Sequence, residues 1–159
     1  MKNFRIGFGF DVHQLKEGLD FSLGGIIVPH EKGSLGHSDG DVLIHAICDA
    51  LLGAANLGDI GKHFPDQDNQ YKGIDSKILL LNVIKMLNER DYHIVNIDST
   101  ICLQIPKINI YITQMQEVLA QCMSINMDQL SIKATTTEKL GFVGREEGVS
   151  AYATVLLHK

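Results

Sequence analysis

Residues 5–13 read Arg-Ile-Gly-Phe-Gly-Phe-Asp-Val-His, so that large apolar residues alternate with polar residues or glycine. A period of two is typical of a β-strand with one buried face. The pattern places two glycines on the same face as Asp11 and His13, where they leave room beside that pair. The opposite, apolar face comprises Ile6, Phe8, Phe10 and Val12.

Other segments repeat with the same period. They predict strands over residues 95–105, 130–135 and 149–157, together with a weaker strand over 21–28 that Gly24-Gly25 interrupts. The polar faces of the first two are uncharged or mixed. Such faces suit contact with water, an oligomer interface or a wet central channel, and the pattern leaves these alternatives open.

Three segments have helical periodicity: residues 39–56, residues 75–90, and the stretch that follows Pro106. Ser38 is the expected N-cap of the first helix, and Gly58 is its stop signal. Strands with one apolar face and helices with one apolar stripe pack as two layers. The fold class is therefore α+β or α/β, with the strand order left open.

The composition narrows the class of protein. A chain of 159 residues with 45% hydrophobic residues fits one domain with a packed core. Its formal charge of −5 disfavours nucleic-acid binding. We see no membrane span or signal peptide, and the three cysteines include no Cys-x-x-Cys pair. We expect one cytoplasmic domain over residues 1–159, with no nucleic-acid or membrane partner.

The first predicted helix is almost wholly apolar between residues 42 and 52, apart from His45 and Asp49. With Asp41 these residues are spaced four apart and therefore lie on one helix face. One reading is a solvent-facing polar stripe. The other is that His45 meets Asp11 and His13, because two imidazoles and a carboxylate can hold a tetrahedral Zn²⁺ with one open position.

Loops supply further candidates. Ser38 and the backbone N–H groups at a helix start can hold a phosphate oxygen, although Ser38 can equally cap the helix. Residues 58–68 are rich in turn residues and carboxylates. They suit sugar hydroxyls or a metal, but also an ordinary connection between helices.

A third cluster lies near the C-terminus. Three consecutive threonines, residues 135–137, favour a strand through β-branching, yet their hydroxyls also suit phosphate oxygens. Glu138 offers a hard oxygen ligand of the kind that Mg²⁺ takes beside substrate phosphates. Arg145 lies after a glycine and is either an anion ligand or a surface charge.

Together these motifs resemble the 2-C-methyl-D-erythritol 2,4-cyclodiphosphate synthase family, from Arg5 to Leu157. The most specific stretches occur in the family's order. They are residues 9–13, 37–41 with His45, 49–54, 57–61, 64–66 and 133–142.

The resemblance implies a mixed β-sheet with about three helices on one face, within an α+β (α/β sandwich) fold. It also implies a homotrimer whose sheets face the central axis and whose active sites lie at subunit interfaces. On this resemblance Asp11, His13 and His45 hold one Zn²⁺ per subunit. Glu138 holds Mg²⁺ or Mn²⁺ with the substrate diphosphate.

The implied reaction starts from a CDP-linked methylerythritol 2-phosphate, whose 2-phosphate attacks the β-phosphorus and releases CMP. His37 and Thr136 match the family's catalytic positions, and both would stabilise the transition state. The implied substrate-binding residues are Ser38, Asp59, Gly61, Phe64, Asp66, Asp68, Thr135, Thr137, Phe142 and Arg145. The implied cytidine-binding residues are Leu103, Pro106, Lys107, Ile108 and Asn109.

Two rival functions follow from the same residues. A zinc-dependent phosphohydrolase would use the three ligands to activate water and would release an open-chain diphosphate. A trimeric binding module would hold cytidine nucleotides or isoprenoid diphosphates without turnover. The presence of all four metal-ligand candidates counts against the binding module, and the family resemblance favours the cyclase over both.

Overall fold

A computed structural model describes residues 3–65 and 67–159. Its strands are β1 (Phe4–Glu17), β2 (Ser22–Leu23), β3 (Ile26–Ile27), β4 (Lys32–Leu35), β5 (His93–Cys102), β6 (Leu130–Thr135) and β7 (Gly148–His158). Five of them form one sheet in the order β4-β1-β7-β5-β6, while β2 and β3 form a separate two-stranded ribbon. β5 and β6 are parallel and the other neighbours are antiparallel, so the predicted mixed sheet is confirmed.

The helices are α1 (Val42–Ala54), α2 (Ile60–His63), α3 (Ser76–Asn88), α4 (Ile112–Met123) and α5 (Gly141–Gly144). The three long ones correspond to the three predicted helices. α1 packs on β1 and β7, α4 packs on β6, and α3 bridges α1 and α4. Within the described residues, no helix is long and apolar enough to cross a membrane.

The helix α1 lies in the centre of the core, with ten of its thirteen residues buried. Its N-cap is Asp41, and not the predicted Ser38. Asp41 Oδ1 accepts a hydrogen bond from the backbone N–H of Ile44 at 3.0 Å, and its Oδ2 accepts one from Gly25 at 2.7 Å. Burial raises the pKa of this carboxyl. Asp41 is the N-cap, and not Ser38, because its carboxylate accepts hydrogen bonds from backbone N–H groups of both the first turn of α1 and the β2–β3 turn.

The faces of β1 are reversed relative to a simple amphipathic strand. The glycine face is the one that packs on α1: a Cβ at Gly9 would lie 1.9 Å from the carbonyl oxygen of Ala46. The room that the sequence predicted at Gly7 and Gly9 is therefore filled by the backbone of α1. The apolar face points away from the helices, where Ile6 is 73% and Phe8 63% exposed.

Candidate metal centre

Three side chains converge where α1 begins to cross β1. Asp11 and His13 leave β1 on its helix-facing side, and close contact of Gly9 with Ala46 brings the neighbouring His45 down onto them. Asp11 Oδ2 lies 2.9 Å from both His13 Nε2 and His45 Nδ1. The two imidazole nitrogens are 3.0 Å apart. This contact supports the predicted cluster over a solvent-facing polar stripe.

The donor set fits a cation. His13 Nδ1 faces the carbonyl oxygen of Leu35 at 3.0 Å, so that nitrogen carries the hydrogen and Nε2 offers a lone pair to the cluster. Ligand atoms around a tetrahedral Zn²⁺ with bonds of about 2.0–2.2 Å lie about 3.3–3.6 Å apart, so the three atoms here would have to separate by only about half an ångström to hold the ion. The three residues also stand out in the described chain as a group able to hold a metal ion.

The pKa values of Asp11 and His13 also indicate that positive charge is stabilised in the cluster. Burial opposes ionisation of Asp11, yet hydrogen bonds and charge from His13 and His45 hold the pKa of Asp11 well below its usual range. Burial also opposes protonation of His13, but the Asp11 carboxylate raises the pKa of His13 above its ordinary value. Both shifts favour a negative carboxylate with positive charge beside it, and a bound divalent cation would supply the same charge.

A cavity of about 220 Å³ opens beside the three residues, and we call it the metal-site cavity. It collects four of the predicted site residues: His37, Ser38, Gly61 and Phe64. It also contains residues that were not among the predicted site residues, namely Asp49, Ile60, Tyr71 and Leu79.

Asp49 could have been found from the sequence, because it lies one helical turn after His45 on the same polar stripe. Its carboxylate accepts a hydrogen bond from the backbone N–H of Ile60 at 2.7 Å. Burial raises the pKa of Asp49. The contact anchors α2 against α1 and so holds one wall of the cavity.

The loop between α2 and α3 closes another side of the cavity. Asp59 caps α2 through a hydrogen bond from the N–H of Lys62, and Asp68 caps the next turn through the N–H of Gln70. His37 Nε2 donates to the carbonyl oxygen of Asp68 at 3.3 Å, which ties this loop to the helix start. The predicted position Asp66 lies outside the described residues.

A second cavity of about 210 Å³ lies at the end of β6, and we call it the strand-end cavity. All five residues predicted to bind cytidine line it together with Thr135 and Thr136. Lining it are Leu103, Gln104, Pro106, Lys107, Ile108, Asn109, Ala134, Thr135 and Thr136.

The turn after β6 carries the other predicted residues. Thr136 Oγ1 donates to Glu138 Oε1 at 3.2 Å, and Thr137 Oγ1 donates to the carbonyl oxygen of Leu140 at 2.7 Å. Phe142 is partly exposed on α5. Arg145 makes a bidentate ion pair with Glu147, with both N···O distances 3.0 Å.

Within one chain the two cavities are well separated. The register places Asp11 opposite Ala151, Ala151 opposite Ile101, and Ile101 opposite Ala134. Asp11 and Ala134 therefore lie at the same level of the sheet but three strand spacings, or about 14 Å, apart. In the described residues no side chain lines both cavities.

This fold and site define an α+β protein in which one aspartate and two histidines form a group that could hold a divalent metal ion. The model of the YgbB family matches residues 4–158. A 2-C-methyl-D-erythritol 2,4-cyclodiphosphate synthase of Bacteroides fragilis is 63% identical over 155 residues, which cover 98% of this chain and 98% of that protein.

Solved structures agree with the sequence relatives. A bifunctional IspDF from Campylobacter jejuni matches with a TM-score of 0.96 and 39% identity, over 99% of this chain and 43% of that chain. A 2C-methyl-D-erythritol-2,4-cyclodiphosphate synthase in a CDP-bound form matches with a TM-score of 0.89 and 35% identity. The match covers 96% of this chain and 99% of that chain. The chain belongs to the YgbB family, the 2-C-methyl-D-erythritol 2,4-cyclodiphosphate synthases of non-mevalonate isoprenoid biosynthesis.

Proposed function

We propose that the protein converts 4-diphosphocytidyl-2-C-methyl-D-erythritol 2-phosphate to 2-C-methyl-D-erythritol 2,4-cyclodiphosphate and CMP. The 2-phosphate attacks the β-phosphorus, the new P–O bond closes the ring, and the bond from the β-phosphorus to the CMP oxygen breaks. The observation that carries this proposal is the convergence of Asp11, His13 and His45 within 3.0 Å, in a chain that matches the family from end to end.

Asp11, His13 and His45 would hold one zinc ion per subunit. Glu138 would hold Mg²⁺ or Mn²⁺ with the diphosphate, since a carboxylate oxygen suits either ion. When bound, these cations supply positive charge that offsets repulsion between the two phosphate groups. Because nucleophile and electrophile belong to one molecule, much of the catalysis consists of holding that molecule folded.

The metal-site cavity would take the methylerythritol phosphate portion. Ser38 and His37 stand beside the metal cluster, where the Ser38 hydroxyl can donate to a phosphate oxygen, and His37 can do so when substrate replaces the Asp68 carbonyl oxygen as the partner of its N–H. Gly61 and Phe64 also line this cavity, and the carboxylates of the 59–68 loop suit the sugar hydroxyls. We assign Asp59, Asp66 and Asp68 to substrate binding on that ground.

The strand-end cavity would take the cytidine. Leu103, Pro106 and Ile108 give it apolar surface, while Lys107 and Asn109 add polar groups. The 135–137 threonines lie between this cavity and Glu138, in position to bind the diphosphate that joins cytidine to the sugar. Thr136 would stabilise the transition state from this side. Phe142 and Arg145 follow on α5 and complete the assigned set.

In a homotrimer, the two cavities of neighbouring subunits would form one active site. A neighbouring subunit would bring its strand-end cavity to the metal-site cavity, and so would unite groups that lie about 14 Å apart within one chain. The bare outer face of β1 supplies an apolar surface for that contact, since Phe8 is 63% exposed. The free cysteines suit a reducing compartment, and we place this single-domain enzyme in the cytoplasm.

The test is ³¹P NMR of the purified protein with the CDP-linked substrate, Zn²⁺ and Mg²⁺, in the presence and absence of a chelator. We expect metal-dependent appearance of a cyclic diphosphate with an equal amount of CMP. An open-chain diphosphate would instead establish the hydrolase. Substrate that binds but stays unchanged would establish a binding module.

A further inference from the structure

The outward nitrogen of His45 has two hydroxyl neighbours. Nδ1 points into the metal cluster, and Nε2 lies 3.0 Å from Ser76 Oγ and 3.0 Å from Ser38 Oγ. Ser76 is the first residue of α3 and is completely buried. A buried hydroxyl must direct its single hydrogen to one partner, so its orientation decides what it offers to the histidine.

The partner of the Ser76 hydrogen is Asp39. The carboxylate of Asp39 accepts hydrogen bonds from both Ser76 Oγ and Ser76 N, the latter at 3.1 Å. An ionised carboxylate can only accept, so the hydroxyl hydrogen of Ser76 points to Asp39. The Ser76 oxygen then has only lone pairs to offer His45, which must supply the hydrogen from Nε2. The lone pair of His45 is thereby left on Nδ1, facing the cluster.

Ser38 does not fix which nitrogen of His45 carries the hydrogen. Its Oγ accepts a weak hydrogen bond from Gly40 N at 3.3 Å and lies 3.3 Å from Ser76 Oγ, and no carboxylate among the described residues is hydrogen-bonded to it. Its hydroxyl is free to rotate and can donate to His45 as well as accept from it. Of the two serines, Ser76 is therefore the one that selects the histidine tautomer.

Backbone contacts hold this arrangement in place. The N–H of Asp39 donates to the carbonyl oxygen of Ile74 at 3.0 Å, and the N–H of Gly73 donates to that of His37 at 2.8 Å. The segment before α1 and the segment before α3 are thus clamped together. Asp39 and Ser76 keep a fixed relation to His45.

We propose that Ser76 and Asp39 are positioning residues for the metal centre, which hold His45 with hydrogen on Nε2 and its ligand atom Nδ1 aimed at the cation. The proposal rests on the metal role of Asp11, His13 and His45 proposed above. A partner on the outward nitrogen of a ligating histidine commonly changes metal affinity by about 10–100-fold.

The test measures zinc affinity of the full-length protein by competition with a chromogenic chelator, for Ser76→Ala and Asp39→Asn. In Asp39→Asn one carboxylate oxygen becomes an NH₂ group, so the side chain can no longer accept from both the hydroxyl and the backbone N–H of Ser76. The matched controls are Ser99→Ala, which removes another buried hydroxyl, bonded to the Ser131 carbonyl, and Asp75→Asn, which alters the neighbouring carboxylate that caps α3. Thermal unfolding of each metal-free variant reports stability separately.

We expect the zinc dissociation constant to rise about 10-fold or more in Ser76→Ala and Asp39→Asn, and to stay near the wild-type value in both controls. The cobalt-substituted protein should also change its visible absorption bands in the first two variants alone, because the ligand geometry is altered. Wild-type zinc affinity in Ser76→Ala would overturn the proposal while leaving the metal site intact. A wild-type protein that binds no zinc would overturn the metal site and this proposal with it.

Discussion

Gly7 and Gly9 determine how closely α1 approaches β1. A Cβ at Gly7 would lie 1.9 Å from the carbonyl oxygen of Ala50, and one at Gly9 would lie at the same distance from that of Ala46. No side-chain rotation relieves a contact with backbone. His45, which directly precedes Ala46 on α1, reaches Asp11 because Gly7 and Gly9 lack side chains and let the helix approach the strand.

The substitution Gly9→Ala should therefore damage the metal centre as well as the fold. We expect a loss of about 1–3 kcal/mol in the free energy of unfolding, typical of overpacking, together with weaker zinc binding because α1 must shift. Denaturant unfolding and chelator competition measure the two effects. Gly53→Ala on the same helix is the control: a Cβ there meets nothing within 4 Å, so stability should be unchanged or slightly higher. Equal zinc affinity in Gly9→Ala and Gly53→Ala would contradict this account.

Removal of the metal should leave the protein folded. The cluster lies at the edge of a core that is already complete, since α1 alone buries ten residues against its neighbours. We expect a chelator to abolish turnover and to lower the melting temperature. Zinc at 100 times its dissociation constant should raise the free energy of unfolding by about 2.7 kcal/mol relative to the metal-free protein. Scanning calorimetry with and without zinc measures this, and His45→Ala should remove the zinc dependence while keeping a cooperative transition. Loss of that transition in the chelated wild type would show that the metal is required for folding.

At the scale of elements, α5 supports the turn that carries Glu138. Glu138 and Lys139 both have left-handed backbone conformations, with φ of 52° and 63°. Such conformations are costly outside glycine and persist where the surroundings impose them. Gly144 is part of those surroundings, because a Cβ there would lie 2.1 Å from the carbonyl carbon of Lys139.

We expect Gly144→Ala to displace this turn. The variant should lose turnover even under conditions in which it remains fully folded. Zinc affinity should be unchanged, because neither Glu138 nor Gly144 is one of the three residues that would hold zinc. Steady-state kinetics at several Mg²⁺ concentrations, alongside chelator competition for zinc, separates the two sites. If zinc binding and turnover fall together, the turn and the metal cluster are coupled in a way that this structure does not indicate.

The elements also show which features the sequence could predict. The apolar alternation of β5, β6 and β7 correctly identifies the face that meets the helices, because side-chain burial decides it: residues 149, 151, 153, 155 and 157 are all buried. The same rule is wrong for β1, whose large apolar residues face outward. There, contact between glycine and helix backbone decides the packing, and hydrophobicity alone carries no signal of that.

The sequence did not predict the strand β4, and it offered two candidate N-caps for α1. β4, Lys32–Leu35, has no apolar alternation and is held by pairing with the extended end of β1, so its register depends on tertiary contacts. Ser38 and Asp41 both suit a helix N-cap, and the contact of Asp41 with Gly25, far away in sequence, decides between them. The three metal-ligand candidates were predictable from their spacing and family motifs. The distance from them to Thr136 was not, because it depends on the strand order.

At the scale of the whole molecule, the outer face of the sheet changes character from one edge to the other. One row runs from Phe10 through Tyr152 and Thr100 to Lys133, as the strand registers show. The aromatic rings of Phe10 and Tyr152 lie 5.0 Å apart at one end, and Lys133 forms an ion pair with Asp98 at 2.7 Å near the other. A face that is apolar on one side and charged on the other suits a cyclic assembly, in which unlike surfaces of neighbouring subunits meet.

That assembly leads to a prediction about mixed subunits. If each active site combines the metal ligands of one chain with Thr136 and Glu138 of a neighbour, then His45→Ala and Glu138→Gln should each be inactive as pure proteins. Trimers reassembled from an equal mixture should regain about one working site in four, because a site works only when an intact metal cluster meets an intact Glu138. Turnover by ³¹P NMR after unfolding and refolding together measures this, with the same two proteins mixed without unfolding as the control. Activity absent from the refolded mixture, in the presence of intact trimers, would place both groups of residues in one chain and contradict the interface site.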